Sequence, residues 1–459
     1  MKTFKTFLNP DKVTSFILYF SILAFTVSFN FSDNRSGGWY QQFLPFMNGR
    51  SISDITFLDS LVGYAITPYL ANDTAYIIKT TNGGDNWNII LKGPTNAIGG
   101  FNKIQFLNQN TGYTCGNFFW KTTNAGLSWF NVNTSGIFPM TMQVLNEDTI
   151  WIVDSESLTG GVYKTTNGGT SWTRQLNLGT LNPENIYMYN KDIGFISKVN
   201  TGAPYTRKTT DGGQSWFVVV KNEGFTDIFF TDSLTGWRAN RYIKITTDGG
   251  LSWLNQELPQ GGYINLSSLI KLSVINKDTL WGVGGRIAFP NNQFRGILFH
   301  TTNSGKNWGY QLPDTSINIF QYVNVSSISR SNIWSYAGVT GAHSNSGGDT
   351  TFYTGVQQLV SVIPEDFELK QNYPNPFNPR TVIRFSLKRK AKVRLIVYDI
   401  RGIEVQRLAD GRYDAGEYEA DFMGKFSSSG VYFYRLVVSL SNPLEVGDFV
   451  QTKRMVLVK

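Results

Sequence analysis

One eight-residue phrase, written six times, constrains this chain more than any other feature. Thr80-Thr-Asn-Gly-Gly-Asp-Asn-Trp87 returns at Thr122 to Trp129, Thr165 to Trp172, Thr209 to Trp216, Thr246 to Trp253 and Thr301 to Trp308. Its pattern is Thr-Thr-[Asn/Asp]-x-Gly-x-[Ser/Asn]-Trp, and successive Trp residues lie 42, 43, 44, 37 and 55 positions apart. A period of that size marks supersecondary units that bury their apolar faces on one another. A second phrase, an apolar alternation followed by a polar turn and an aromatic, interleaves with the first. It runs Ile55 to Tyr64, Ile104 to Tyr113, Met142 to Trp151, Ile186 to Phe195, Ile228 to Trp237, Leu272 to Trp281 and Val325 to Trp334. That makes seven, one more than the Trp phrase.

Each unit reads as four short strands. The apolar alternation is the first, the aromatic opens the second, the third runs into Thr-Thr, and Trp opens the fourth. Period-2 patterning with turn signals every 8–12 residues is the antiparallel signature. Forty-five glycines, 15% aromatics and only 16% charged residues suit a turn-rich β protein. A four-stranded sheet repeated seven times implies an all-β fold, a seven-bladed β-propeller over residues 37–360. The seventh unit has two clear strands in Val325–Val339 and a third expected at Thr351–Gln357, but no Trp phrase. Ser36-Gly-Gly-Trp39-Tyr-Gln-Gln-Phe43 supplies what is missing, so the N-terminal segment is expected to close the seventh blade and remove the seam of the ring. With Cys115 the only cysteine, no internal disulfide can do that job.

Every part of the Trp phrase has a folding role. Asn82, Asn124, Asn167, Asp211, Asp248 and Asn303 can bond backbone amides across a tight turn. The Gly two places on supplies φ > 0. Trp87, Trp129, Trp172, Trp216, Trp253 and Trp308 enter the fourth strand, where each ring can bury about 150–250 Å². The phrase resembles the Asp-box, or BNR repeat, of sialidases, sortilin-type receptors and some polysaccharide hydrolases. With its upstream Gly-Tyr it looks most like the propeller of the photosystem II assembly and stability factors. The resemblance implies the fold and leaves the chemistry open. A sialidase-like site would need an arginine cluster and an Arg-Ile-Pro phrase, whereas before Thr80 only Arg35 and Arg50 occur, and Arg50 precedes Ser-Ile.

In such a blade the boxes and the 1–2 turns share one face of the disc, while the 2–3 turns and blade connections share the other. The second set varies in length and composition, and binding surfaces sit on variable loops held by rigid scaffolds. Phe101, Phe138, Phe225, Tyr263 and Phe320 precede blades on that face and form a candidate ligand-binding ring, unless they plug the cores between blades. Asp73, Asp154, Glu156, Glu184, Glu223 and Asp314 are the acids from which a glycosidase pair would come, needing carboxyls about 5–10 Å apart. Cys115 reads as a small buried hydrophobe and His343 as a loop residue. With His300 the only other histidine, no zinc site is expected, nor any other metal or cofactor. The net charge of +8 is spread out: residues 29–360 carry 22 basic and 20 acidic side chains, so no nucleic-acid partner is expected.

Residues 1–28 read as a signal peptide, with three lysines ahead of an apolar run shorter than the roughly 20 residues of a membrane span. From about Val362 the grammar changes. A proline-rich segment precedes strands at Thr381–Leu387, Lys392–Asp399, Glu404–Leu408, Gly416–Phe422, Gly430–Ser439 and Phe449–Val458, expected to form a small Ig-like β-sandwich. Gln371-Asn-Tyr-Pro-Asn-Pro-Phe-Asn-Pro379, Val397-Tyr-Asp-Ile-Arg-Gly402, Ser429-Gly-Val-Tyr-Phe-Tyr-Arg435 and Thr452-Lys-Arg-Met-Val-Leu-Val-Lys459 together resemble the type A sorting domain of the type IX secretion system. That resemblance, over residues 361–459, implies the type IX secretion machinery as a partner and export through the periplasm to the cell surface or medium. The expectation is a monomeric secreted cargo whose propeller binds a protein or glycan without catalysis. A propeller glycoside hydrolase and an assembly factor for a partner complex are the alternatives.

Overall fold

The computed structural model describes residues 38–459 except 69–73, 95–99, 135, 155–159, 200–201, 261–263, 290–292, 314–315, 349–355, 361–362, 425–426, 440–448 and 459. The signal-peptide reading of residues 1–28 and Tyr263 therefore lie outside the described residues. Among the described residues, no helix is long and apolar enough to cross a membrane.

Seven antiparallel sheets follow one another along the first part of the chain. Each of the first six is built from consecutive strands, as in the first: Asp54–Phe57, Gly63–Ile66, Thr74–Thr80 and Asn88–Pro94. The sixth adds a short strand, Ile264–Leu266. The first strands of neighbouring sheets touch in order around a closed cycle, the seventh meeting the first, and the arrangement is a β-propeller. Side chains stitch this inner ring together at six of its junctions. Ile104 N donates to Asp54 (3.1 Å), Val144 N to Gln105 (3.0 Å), Phe230 N to Tyr187 (3.0 Å), Leu272 N to Asp227 (2.8 Å), Ser327 N to Ser273 (2.8 Å) and Phe57 N to Ser326 (3.2 Å). A buried amide left without a partner costs about 1–3 kcal/mol, so these bonds hold neighbouring sheets in register.

The Trp phrase closes on itself in the same way six times. The Thr hydroxyl accepts the Gly amide at 2.8–3.0 Å, and the Asn or Asp carbonyl or carboxylate oxygen accepts the amide four residues on at 2.9–3.0 Å. At Gly169 the backbone has φ +93°, and a Cβ there would lie 2.5 Å from Val132 of the preceding sheet. The phrase also ties neighbouring sheets together. Trp334 Nε1 donates to Gly83 O (2.7 Å), Tyr64 OH to Ala125 O (2.9 Å) and Trp151 Nε1 to Gly212 O (3.2 Å). The Ser215 hydroxyl and amide hold the Asp211 carboxyl down at about 2, and Ser252 does the same for Asp248.

The seventh sheet joins the two ends of the propeller. Its order is Asn324–Ser327, Ile333–Ala337, Thr340–Gly348 and then Gly38–Phe43. The expected third strand at Thr351–Gln357 is replaced by Thr340–Gly348, a segment so rich in Gly, Ser and Asn that it reads as a loop. A seventh box is assembled there from both ends. Ser344 Oγ accepts Gly348 N (2.6 Å), Ser346 Oγ accepts Gly38 N (3.2 Å), and Trp39 follows Gly38 as Trp follows in the other six. Trp39 Nε1 donates to Gln311 (2.8 Å) as Trp308 Nε1 donates to Gln256 (3.1 Å) in the preceding sheet.

Val356–Val360 belongs to neither end of this ring; it pairs with Gly416–Met423. With Arg380–Leu387 and Glu368–Leu369 those strands form one sheet, and Glu404–Tyr413, Ala391–Tyr398, Gly430–Ser439 and Phe449–Leu457 form another. Both contribute to one apolar core, which includes Leu369, Phe385, Val397, Tyr434 and Met455. The proline-rich segment is pinned to these strands. Asn372 is buried, donating to Pro374 O (3.0 Å) and Thr381 (2.8 Å), and Phe377 packs against Phe422.

Candidate functional site

The inner strands all begin on the face opposite the boxes, and there they surround a channel mouth of about 540 Å³. Its wall mixes Asp54, Asp227 and Glu184 with Lys103 and Lys271. Asp54 is 6% exposed and pairs with Lys271 at 3.3 Å. Burial opposes its ionisation, but Lys271, Lys103 and the Ile104 amide outweigh that and hold the carboxyl below its ordinary value. The same pairing raises the Lys271 ammonium above its ordinary value against the opposing effect of burial. The mouth is therefore lined by three acids and two lysines, of which Asp54 and Lys271 are paired with each other. Among the described residues, no group of three or more His, Cys, Asp or Glu is placed to hold a metal ion.

On the same face, large apolar side chains stand on the connections and 2–3 turns. Phe46 is 84% exposed, Phe320 55% and Phe138 49%, and Met140 and Phe118 are exposed as well. Arg286 lies 4.6 Å over the Phe320 ring, whose edge meets Phe294. An apolar set of this kind on a rigid scaffold suits contact with another macromolecule.

The five aromatics singled out in the sequence separate into three groups. Phe138 and Phe320 face solvent, and Tyr263 is outside the described residues. Phe101 and Phe225 are buried, which corrects their expected place in an exposed ring. Phe101 packs with Tyr64, Ile66, Ile77 and Ile104, and Phe225 with Phe195, Ile228 and Phe230, because both stand at or near the start of an inner strand whose side chain turns between two sheets. Phe46, Phe118, Met140 and Tyr242 were missed. Phe118 and Tyr242 flank tight turns, Gly116-Asn-Phe118 and Asn240-Arg-Tyr242, and that adjacency was their only signal in the sequence.

Of the six acids named above, Asp73, Glu156 and Asp314 lie outside the described residues, and the other three are engaged in structural bonds. Asp154 is fully buried and accepts the Phe138 amide (3.2 Å). Glu184 accepts Val199 N (3.1 Å) and pairs with Lys198 (3.4 Å), and Glu223 pairs with Lys244 (2.6 Å) and Arg238 (3.1 Å). Burial pushes the Cys115 thiol well above its ordinary value, so it is no nucleophile at neutral pH. His343 is not in a loop: it lies on Thr340–Gly348, stacked on Trp334 at 4.3 Å. His300 stacks on Trp281 at 4.0 Å, and burial lowers it to about 4, which keeps it neutral. Both histidines occupy the cross-strand place that Lys79 and Lys164 hold opposite Tyr64 and Trp151.

No protein-family model and no curated protein matches this chain. Solved structures do. One of YCF48 bound to a D1 peptide superposes with a TM-score of 0.51 and 16% identity, covering 67% of this chain and 97% of that one. YCF48 from Cyanidioschyzon merolae gives 0.50 and 14%, covering 67% and 98%. A GH74 enzyme from Niastella koreensis aligns at 0.42 and 13% over 74% and 71%, too distant to bear on activity. The chain thus carries a β-propeller of the kind found in YCF48.

Proposed function

We propose that this protein is an exported cargo whose seven-bladed propeller captures a protein partner without catalysis. The observation that carries the reading is the exposed apolar set of Phe46, Phe118, Phe138, Met140 and Phe320 on the face that holds the channel mouth and no boxes. The engagement of Asp154, Glu184 and Glu223 in structural bonds favours binding over glycoside hydrolysis. YCF48 with its D1 peptide offers a precedent for a propeller of this fold that holds a polypeptide. The test is a cross-linking pull-down from culture medium and cell-surface extract with the full chain and its Phe138→Asp/Phe320→Asp variant. The expected result is a partner captured by the native chain and reduced about tenfold or more by the variant, at unchanged melting temperature. Sugar released from a polysaccharide panel, or equal capture by both chains, would overturn it.

The C-terminal strands act in this reading as an Ig-like sorting domain of type A for the type IX secretion machinery. A signal at residues 1–28 delivers the chain to the periplasm, and the product is secreted or held at the outer surface. The motifs quoted from Gln371 to Lys459 support this. Because Val356–Val360 pairs with Gly416–Met423, the clean truncation removes residues 349–459. That chain is expected to accumulate in the periplasm, and its normal secretion would refute the assignment.

A further inference from the structure

A second cavity, about 590 Å³, opens between the fourth and fifth sheets on the face opposite the boxes. Its floor is Glu223, whose carboxylate is already neutralised by Lys244 at 2.6 Å and by Arg238 beneath it at 3.1 Å. Its rim carries Asn222, Arg241, Tyr242 and Asn255, all exposed. None of these four side chains makes a hydrogen bond or ion pair with a described residue. Lys244 and Arg238 are thus committed to Glu223, while Arg241 on the rim is uncommitted.

The rim is rigid although its side chains are free. Arg241 stands at φ +62° and Asn222 at φ +61°. The Arg241 carbonyl accepts Leu269 N at 3.0 Å, and the Glu223 carbonyl accepts the Thr206 hydroxyl at 3.1 Å. Asn240 and Tyr242 pair with each other across the turn. The turn backbone on this rim is therefore committed within the fold. The free groups instead are a planar phenol ring 67% exposed, two carboxamides and one guanidinium. An aromatic face suits the C–H side of a pyranose ring, carboxamides match vicinal hydroxyls, and a guanidinium takes a carboxylate bidentately.

We propose that this cleft binds an acidic sugar, a hexuronate unit of a polysaccharide, with its carboxylate on Arg241, its ring on Tyr242 and its hydroxyls on Asn222 and Asn255. The site goes beyond partner capture and does not depend on it, since Phe138 and Phe320 lie outside the cleft.

The test is calorimetric titration of the full chain with tetramers of galacturonate, mannuronate and guluronate, with cellotetraose and a neutral galactose tetramer as counterparts. At least one uronate is expected to bind about tenfold or more tightly than the neutral sugars. Arg241→Gln should abolish that preference, and Tyr242→Ala should weaken uronates and neutral sugars alike, both at unchanged melting temperature. Equal binding of charged and neutral tetramers, no binding of any uronate, or uronate binding that survives Arg241→Gln and Tyr242→Ala would each overturn the assignment. So would preferential binding of a tetraglutamate peptide.

Discussion

Replacing Trp39 by alanine is expected to lower the unfolding free energy by about 3–5 kcal/mol, the range for emptying a buried aromatic site. Trp39 is 6% exposed, meets Trp281 edge-on at 5.8 Å, and packs with Leu298, Ile319 and Val325 in the core between the sixth and seventh sheets. It stands on the only strand that carries the beginning of the propeller onto its end, so the damage falls on the seam of the ring. Removal of Gly38–Phe43 would go further and bare the edge of Thr340–Gly348. Trp39→Phe separates the two contributions: it keeps most of the ring contact and leaves Gln311 without its indole partner, at a cost of about 1–3 kcal/mol. Urea unfolding followed by tryptophan fluorescence measures both variants. A loss below about 1 kcal/mol for Trp39→Ala would mean that the Trp39 ring is not what secures the closing strand.

Asp54→Asn is expected to cost about 1–3 kcal/mol near neutral pH. Breaking one side of a buried ion pair costs about 3–5 kcal/mol, but Lys271 keeps a quarter of its side chain exposed and has Asp227 nearby, which lessens the penalty. The pH dependence identifies the cause. The folded Asp54 carboxyl lies below its unfolded value, so its contribution is complete above about pH 4 and disappears as the pH falls through the folded value. The folded Lys271 ammonium lies above its unfolded value, so its contribution is complete below about pH 10 and is lost as the pH climbs through the folded value. Native and Asp54→Asn proteins should therefore differ most on the plateau between, and converge toward pH 2. Urea midpoints measured from pH 2 to pH 7 check this, and a gap that stays constant to the acid end would show that shape, not charge, is what Asp54 supplies.

The repeat was legible because its bonds are local. Thr165, Asn167, Gly169 and Ser171 satisfy one another within seven residues, so eight letters suffice to specify the turn. The C-terminal strands were legible for a similar reason: alternation along Gly416–Met423 and Gly430–Ser439 survives in the burial of every second residue. What failed was any assignment that needs a neighbour far along the chain. Thr340–Gly348 has the composition of a loop and becomes a strand held on both edges, by its neighbour Ile333–Ala337 and by Gly38–Phe43, roughly 300 positions away. Its residue His343 is covered from both sides, by Trp334 and by Tyr40.

The aromatics make the same point at the candidate site. Phe101 and Phe138 both follow a glycine-containing connection and precede an inner strand, and the one is buried while the other is half exposed. Nothing within a few residues of either distinguishes them. Sequence alone determined the all-β repeat, the turn that each box makes and the strands of the C-terminal segment, since hydrogen bonds between near neighbours and period-2 burial specify those. That the closing strand lies against Thr340–Gly348, which aromatics reach solvent and how Arg241, Tyr242 and two asparagines come to share one cleft were decided only by tertiary structure, since they depend on how one sheet packs against the next.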